Sequence, residues 1–251
     1  MESNLNKESK TSVLDIVIPV YNEGENILDL FQAFENEVKT RIKVFICYDF
    51  DDDNTLQALK GKKYKFDIVF VKNKGRGVHS AITTGFDSTT AEAILTFGSD
   101  EANNAIIIDE MFIKYKEGCD VVVASRLMKG GEISGGPRLK SFVVRVASFV
   151  LHHFIGVPAT DATYAWRLFS RRVIDTVKIE SSEGFTYAIE LLVKCHRLGW
   201  SVAEVPARWI MRKKGESRFK FRKWLPRYAR WFFYALETTY FKKGPSTVLR
   251  K

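Results

Sequence analysis

The side chains able to do chemistry in this sequence gather where apolar runs end. LTFGSDEANN, residues 95 to 104, closes one run with two adjacent acids, Asp100 and Glu101. Asp49 closes another and opens the acidic stretch Asp49-Phe50-Asp51-Asp52-Asp53, Ser125-Arg126 follows a third, and Pro19-Val20-Tyr21-Asn22-Glu23 follows the first. Carboxylates in such places hold a divalent cation or cap a helix, since both jobs need an oxygen acceptor at a chain turn. Arginines present paired donors to phosphate oxygens. Arg76-Gly77 precedes a helical stretch, and a glycine turn there lets backbone amides approach an anion.

These residues share one edge if the runs that carry them are parallel strands. LDIVIPV (14 to 20), KVFICYD (43 to 49), FDIVFV (66 to 71), AILTFG (93 to 98) and DVVVAS (120 to 125) are β-rich, and helical stretches fall around 27 to 38, 54 to 60, 79 to 88 and 104 to 116. Alternating strands and helices, with strands apolar on both faces, predict an α/β fold with a parallel sheet covered by helices. Ligands of such sheets bind beyond the carboxyl ends of the strands, which is where the acids, Tyr21 and Arg126 lie. Beyond Arg126 the pattern changes. A Gly-rich basic loop (128 to 140) leads to an apolar helix (141 to 156) interrupted by Arg145, a strand leading into a turn (161 to 173), a helix (185 to 200) and a strand (201 to 210).

With 251 residues and 45% apolar content the chain can bury a core of one large domain, with or without an appendage. The N-terminal MESNLNKESKTS lacks an apolar stretch and reads as a disordered lead (1 to 12), and no run has the length of a membrane span. Cys47, Cys119 and Cys195 are odd in number and widely spaced, without a CxxC pair, and read as reduced thiols of a cytosolic core. The net charge of +9 sits in the tail: residues 206 to 251 carry 14 Lys/Arg against Glu216 and Glu237, leaving 25 against 28 elsewhere. Such a patch can face nucleic acid, an anionic membrane or a phosphorylated substrate, and no recognition motif accompanies it to favour nucleic acid. WLPRYARWFFYALETTYF (224 to 241), aromatic and flanked by cations, reads as a helix that lies on a membrane surface or packs on the domain, and residues 221 to 251 are taken as a basic amphipathic segment.

In order along the chain, these motifs resemble the family 2 inverting glycosyltransferases of GT-A fold, in the dolichyl-phosphate mannose synthase-like branch. Pro19, Tyr21, Asn22 and Glu23 match P-x-Y-N-E; Asp49, Asp53 and Thr55 match D-D-G-S-x-D-x-T in part; Arg76, Gly77 and Ala81 match R-G-x-G-x-A. Ser125 and Arg126 match G-S-R, Asp161 to Arg167 match D-x-T-x-x-F-R, and Glu204-Val205-Pro206 precedes Arg212 to Arg218 in the place of R-x-x-G-x-S-K. The resemblance implies a GT-A, Rossmann-like, mixed but mainly parallel sheet over residues 13 to 220. It implies that Pro19, Tyr21, Glu23, Asp49, Arg76 and Gly77 contact a GDP- or UDP-sugar. Asp100, Arg126 and Asp161 are then the catalytic candidates, Arg138, Arg145, Arg212, Ser217 and Arg218 the acceptor-phosphate contacts, and His79 a surface or capping residue. The implied cofactor is Mg²⁺ or Mn²⁺ on Asp100, with Glu101 as a possible second ligand, because the D-x-D of the family begins here with Gly98. The implied acceptor is a polyprenyl phosphate, reached at the cytosolic membrane face peripherally or with a membrane protein partner. A glycan or glycolipid hydroxyl is the alternative, which would need Asp161 or Glu101 as a base, and a silent nucleotide-sugar binding module is another.

Overall fold

The computed structural model describes residues 12–135, 138–210 and 221–251. Its strands are β1 (Leu14–Pro19), β2 (Ile42–Tyr48), β3 (Asp67–Lys72), β4 (Ala93–Thr96), β5 (Val121–Ser125), β6 (Glu132–Ser134), β7 (Arg167–Ser170), β8 (Val202–Pro206) and β9 (Arg208–Ile210). The helices are α1 (Gly24–Glu37), α2 (Asn54–Leu59), α3 (Gly77–Ser88), α4 (Ile108–Lys116), α5 (Arg138–Phe149), α6 (Arg171–Thr176), α7 (Thr186–Leu198) and α8 (Phe221–Tyr240).

Among the described residues seven strands form one sheet in the order β3-β2-β1-β4-β7-β5-β8, while β6 and β9 pair separately. The continuous apolar runs become its interior: Leu14, Ile16, Val17 and Ile18 of β1 and Val121, Val122 and Val123 of β5 are buried, because helices cover both faces. On α1, Ile27, Leu30, Phe31 and Phe34 repeat at helical spacing and all turn into the core.

The sheet is mixed and mainly parallel, as the family resemblance implies and not the purely parallel sheet that the alternation of strands and helices predicts, and its one reversed strand has consequences. β7 runs antiparallel between β4, with Thr96 opposite Arg167, and β5, with Val123 opposite Arg167. The predicted strand over 161 to 173 is therefore shorter, since residues 161 to 166 form the approach to β7 and residues 171 to 176 turn into α6. A strand that enters antiparallel starts where its neighbours end. Residues 161 to 166 are thereby delivered to the carboxyl ends of β4 and β5. The Gly-rich loop holds a short strand that was not predicted, β6, because β9 offers it a parallel partner. The helix from 141 to 156 ends as a π-helical turn at Val150–Phe154.

Cys47 and Cys195 are buried and free, and burial pushes the Cys47 thiol up to about 12, so both act as small apolar core groups. Cys119 is half-buried and also free. Among the described residues no helix is long and apolar enough to cross a membrane.

Candidate active site

The loops that follow the first two strands are laced together by backbone amides that donate to side-chain oxygens. Asn22 takes a left-handed φ of 55°, and its amide donates to Asp53 Oδ2 at 3.0 Å. The amides of Glu23 and Gly24 donate to Thr55 Oγ1 (2.9 Å) and Asn54 Oδ1 (3.0 Å), and the Asn54 amide returns a bond to Asn22 Oδ1 (3.3 Å). Asp53 is buried and also caps α2 by accepting from the Thr55 amide at 2.8 Å. The loop after β1 therefore has its shape imposed by the loop after β2. It holds Tyr21 46% exposed, edge-on to Phe50 with ring centroids 5.2 Å apart.

Asp49 joins this edge to the glycine turn. Its Oδ1 accepts from Asn73 Nδ2 at 2.6 Å and its Oδ2 from the Gly77 amide at 2.9 Å. Gly77 opens α3 with φ +83°, a conformation that a side chain would strain, and Arg76 beside it is exposed. Pro19, Tyr21, Glu23, Asp49, Arg76 and Gly77, separated by up to 58 positions, thus lie along the ends of β1 and β2 and the start of α3. His79, by contrast, is no surface residue. It is buried in α3 with its Nε2 3.0 Å from Ser181 Oγ, and burial lowers its pKa against the opposing pull of Glu190 and Glu183.

Beyond β4, the adjacent acids part company. Asp100 is partly exposed, whereas Glu101 is 6% exposed and turned inward. Glu101 Oε1 accepts from Tyr164 Oη at 2.7 Å and Trp166 Nε1 at 3.0 Å, and Oε2 accepts from Asn104 Nδ2. Burial, and after it the charge of Asp100, raises the Glu101 pKa against these three donors. Asn104 also bonds the backbone of Arg208 in both directions, at 2.9 Å each. Glu101, expected as a second metal ligand, is instead the hub of a buried cluster. Both of its oxygens are occupied by protein donors.

The third group joins β5 to the approach of β7. Arg126 grips Asp161 bidentately, Nε to Oδ2 at 2.7 Å and Nη2 to Oδ1 at 3.0 Å, and Nη2 also reaches Thr163 Oγ1 at 3.1 Å. The guanidinium lies 4.2 Å from the centroid of the Tyr164 ring. Asp161 is fully buried, and its Oδ1 accepts from the amides of Thr163 (3.2 Å) and Tyr164 (3.1 Å). Burial alone would raise the Asp161 carboxyl, but the charge and hydrogen bonds of Arg126 prevail and hold it below the usual range. Glu204 of β8 secures the same loop by accepting from the Asp161 amide at 3.1 Å and from Thr160 Oγ1. Behind it Arg167 is fully buried, donates Nη2 to the Ala162 carbonyl at 2.7 Å, and is drawn down to about 10 by burial.

Sequence reasoning placed Asp161 and Arg126 at one site but missed what they do to each other. It also missed Tyr164, Trp166 and Asn104, for which the available signal was an aromatic pair just after Asp161. Arg145 is exposed on α5, and no hydrogen bond or ion pair joins it to these groups among the described residues. Arg212, Ser217, Arg218 and the side chain of Arg138 lie outside the described residues. Among the described residues no three His, Cys, Asp or Glu side chains are grouped to hold a metal. With Glu101 engaged and Gly98 bearing no ligand, this edge suits a divalent cation with Asp100 as its protein ligand and oxygens of a bound diphosphate completing the shell.

Known proteins share the family and the fold of this chain. The model of a family described as glycosyl transferase family 2 matches residues 15–178. A dolichol-phosphate mannosyltransferase of Pyrococcus furiosus is 25% identical over 213 residues, covering 82% of this chain and 59% of that protein. An uncharacterized glycosyltransferase of Synechocystis sp. is 29% identical over 174 residues, covering 67% of this chain and 53% of that protein. The chain thus spans little more than half the length of these two relatives. Glucosyl-3-phosphoglycerate synthase from Mycobacterium tuberculosis, solved with Mn²⁺, UDP and glucosyl-3-phosphoglycerate, superposes with a TM-score of 0.63 at 16% identity, covering 91% of this chain and 80% of that one. That likeness is one of fold, the GT-A, Rossmann-like arrangement.

Proposed function

Because the chain belongs to glycosyl transferase family 2, we propose that it is an inverting glycosyltransferase that moves a hexose from a nucleotide-diphosphate sugar to a polyprenyl phosphate at the cytosolic face of a membrane. The observation that carries the choice of acceptor is the state of the two carboxylates that could have served as a base. Asp161 is locked to Arg126, and Glu101 is buried beneath three donors. An acceptor hydroxyl needs a proton removed, whereas a phosphate arrives already ionised and needs none. The similarity to a dolichol-phosphate mannosyltransferase supports the same acceptor.

In this reading the nucleoside lies along Pro19, Tyr21, Glu23 and Asp49, and its diphosphate meets Arg76, the Gly77 turn and Asp100. A phosphate oxygen of the acceptor attacks the anomeric carbon from the face opposite the donor diphosphate. The bond from that carbon to the diphosphate oxygen breaks, and the nucleoside diphosphate leaves with the electron pair. Mg²⁺ or Mn²⁺, when bound, supplies positive charge to that leaving group. Arg126 and Asp161 act as one unit, the carboxylate fixing the guanidinium beside the acceptor. Arg138, Arg145, Arg212, Ser217 and Arg218 are its proposed phosphate partners.

The test is incubation of the protein with labelled GDP- and UDP-sugars and polyprenyl phosphate, with Mg²⁺, with Mn²⁺ and with chelator. Metal-dependent transfer to the lipid phosphate is expected, and Asp100→Asn should lower it by about 100-fold or more, since a metal lost from the leaving group takes with it several kcal/mol of charge stabilisation. Transfer only to glycan hydroxyls would replace the acceptor. Nucleotide binding without any turnover would favour a silent binding module.

A further inference from the structure

Gly98 stands where the related motif begins with an acid, and the structure gives a steric reason why an acid is absent. A Cβ built on Gly98 would lie 2.6 Å from Trp166 Cζ2, 2.9 Å from Glu101 Cγ and 3.0 Å from Asp100 Oδ1. The first is well inside van der Waals contact, and the atom belongs to a rigid ring rather than to the end of a flexible side chain. Trp166 cannot easily withdraw. It is 8% exposed, packs edge-on against Phe185 with centroids 5.5 Å apart, and donates Nε1 to Glu101 at 3.0 Å. The motif that residues 161 to 167 resemble has phenylalanine at this place, so a larger ring at 166 and a smaller residue at 98 occur together where the two positions touch.

We propose that Trp166 is the positioning residue that sets how this protein acquires its divalent metal. The indole fills the volume that a carboxylate at position 98 would occupy, and with Tyr164 it turns Glu101 away, leaving Asp100 as the protein's ligand. The metal accordingly binds as its complex with a nucleoside diphosphate, and the protein alone holds it poorly. This rests on the donor site proposed above. The interlock also accounts for an acid, Glu101, that is next to the metal position yet buried: it serves the indole and the Tyr164 hydroxyl rather than the cation.

The experiment measures Mn²⁺ binding to the full chain by the electron paramagnetic resonance of free Mn²⁺, without nucleotide and with saturating UDP or GDP, alongside nucleotide binding in chelator. Nucleotide should tighten Mn²⁺ binding by about tenfold or more, the scale on which ligand-shell changes act on metal affinity. Gly98→Ala should lower the melting temperature in the natural background and do so much less in Trp166→Phe, where the ring is shorter. Gly98→Asp combined with Trp166→Phe should bind Mn²⁺ without nucleotide about tenfold more tightly than the natural protein. Equal Mn²⁺ affinity with and without a nucleotide that itself binds would overturn the proposal alone. So would a Gly98→Ala penalty of the same size in both backgrounds, a result readable even if the aspartate variant fails to fold. Failure to bind either nucleotide would overturn the donor site and this proposal with it.

Discussion

Asp161 and Glu101 are two buried carboxylates on one edge, and their surroundings push them in opposite directions. Asp161, held low against its burial by Arg126, is ionised in the fold more readily than in the unfolded chain. Its contribution to stability is present above the ordinary carboxylate range and is lost as pH falls through its depressed folded value. Glu101, raised first by burial and then by Asp100, has the reverse sign: its contribution is complete below that range and is lost as pH rises through the raised folded value. Asp161→Asn should destabilise the protein by about 3–5 kcal/mol, because it leaves the Arg126 guanidinium buried without its partner. The same substitution should flatten the acid side of the stability profile. Urea unfolding across the acid range reads both, and an unchanged acid limb would show that Arg126 and Asp161 are not coupled as described.

The elements explain which parts of this site could be read beforehand. Strands buried on both faces are continuous apolar runs, so β1, β2, β4 and β5 and the residues at their ends were legible, the edge strand β3 was legible as an apolar run despite its exposed Phe70, and Asp49 meeting the Gly77 turn follows from the parallel sheet. The reversal of β7 was not legible, since the choice of neighbours is made by pairing across the sheet and leaves no local pattern in RLFS. The partners of Glu101 were hidden for the same reason: Tyr164 and Trp166 are 63 and 65 residues away and arrive through that reversal. Asp53 was read as a motif residue, but its work is to join two elements. It caps α2 and holds the Asn22 amide in a left-handed turn. Asp53→Ala should cost about 1–2 kcal/mol for the cap alone and should also weaken nucleotide binding, because the loop after β1 loses its template. The neighbouring Asp52, which is exposed, supplies the control: Asp52→Ala should change neither melting temperature nor nucleotide affinity, and equal losses in both variants would dissolve the distinction.

On the whole molecule, apolar side chains and cations are exposed together on one pair of helices. The buried stripe of α8, Trp231 and Ala235, holds it to the domain, helped by Arg197 Nη2 bonding the Tyr234 carbonyl at 2.6 Å. Tyr228, Phe232 and Tyr234 of α8 pack half-buried against the core, whereas Phe233, Tyr240 and the following Phe241 are exposed. On α5 and the π-helical turn after it, Leu139, Phe142, Val146, Phe149 and Phe154 are exposed as well, and Tyr240 Oη bonds the Phe154 carbonyl at 2.7 Å, so the two groups adjoin. Arg145, Lys242 and Lys243 stand exposed among them. A side chain such as Phe gains about 1.5–3 kcal/mol when fully removed from water, and cations add attraction to anionic headgroups that salt screens. The polyprenyl phosphate proposed above as acceptor would be met at such a surface. The protein should therefore sediment with vesicles that contain anionic lipid at low salt and be released in part as salt rises, and Phe149→Ser with Phe154→Ser should weaken binding at every salt concentration. Lys242→Ser with Lys243→Ser should instead lower the salt dependence. Recovery in the supernatant unaffected by vesicles of any composition would remove the membrane from the account and leave these helices to a partner protein.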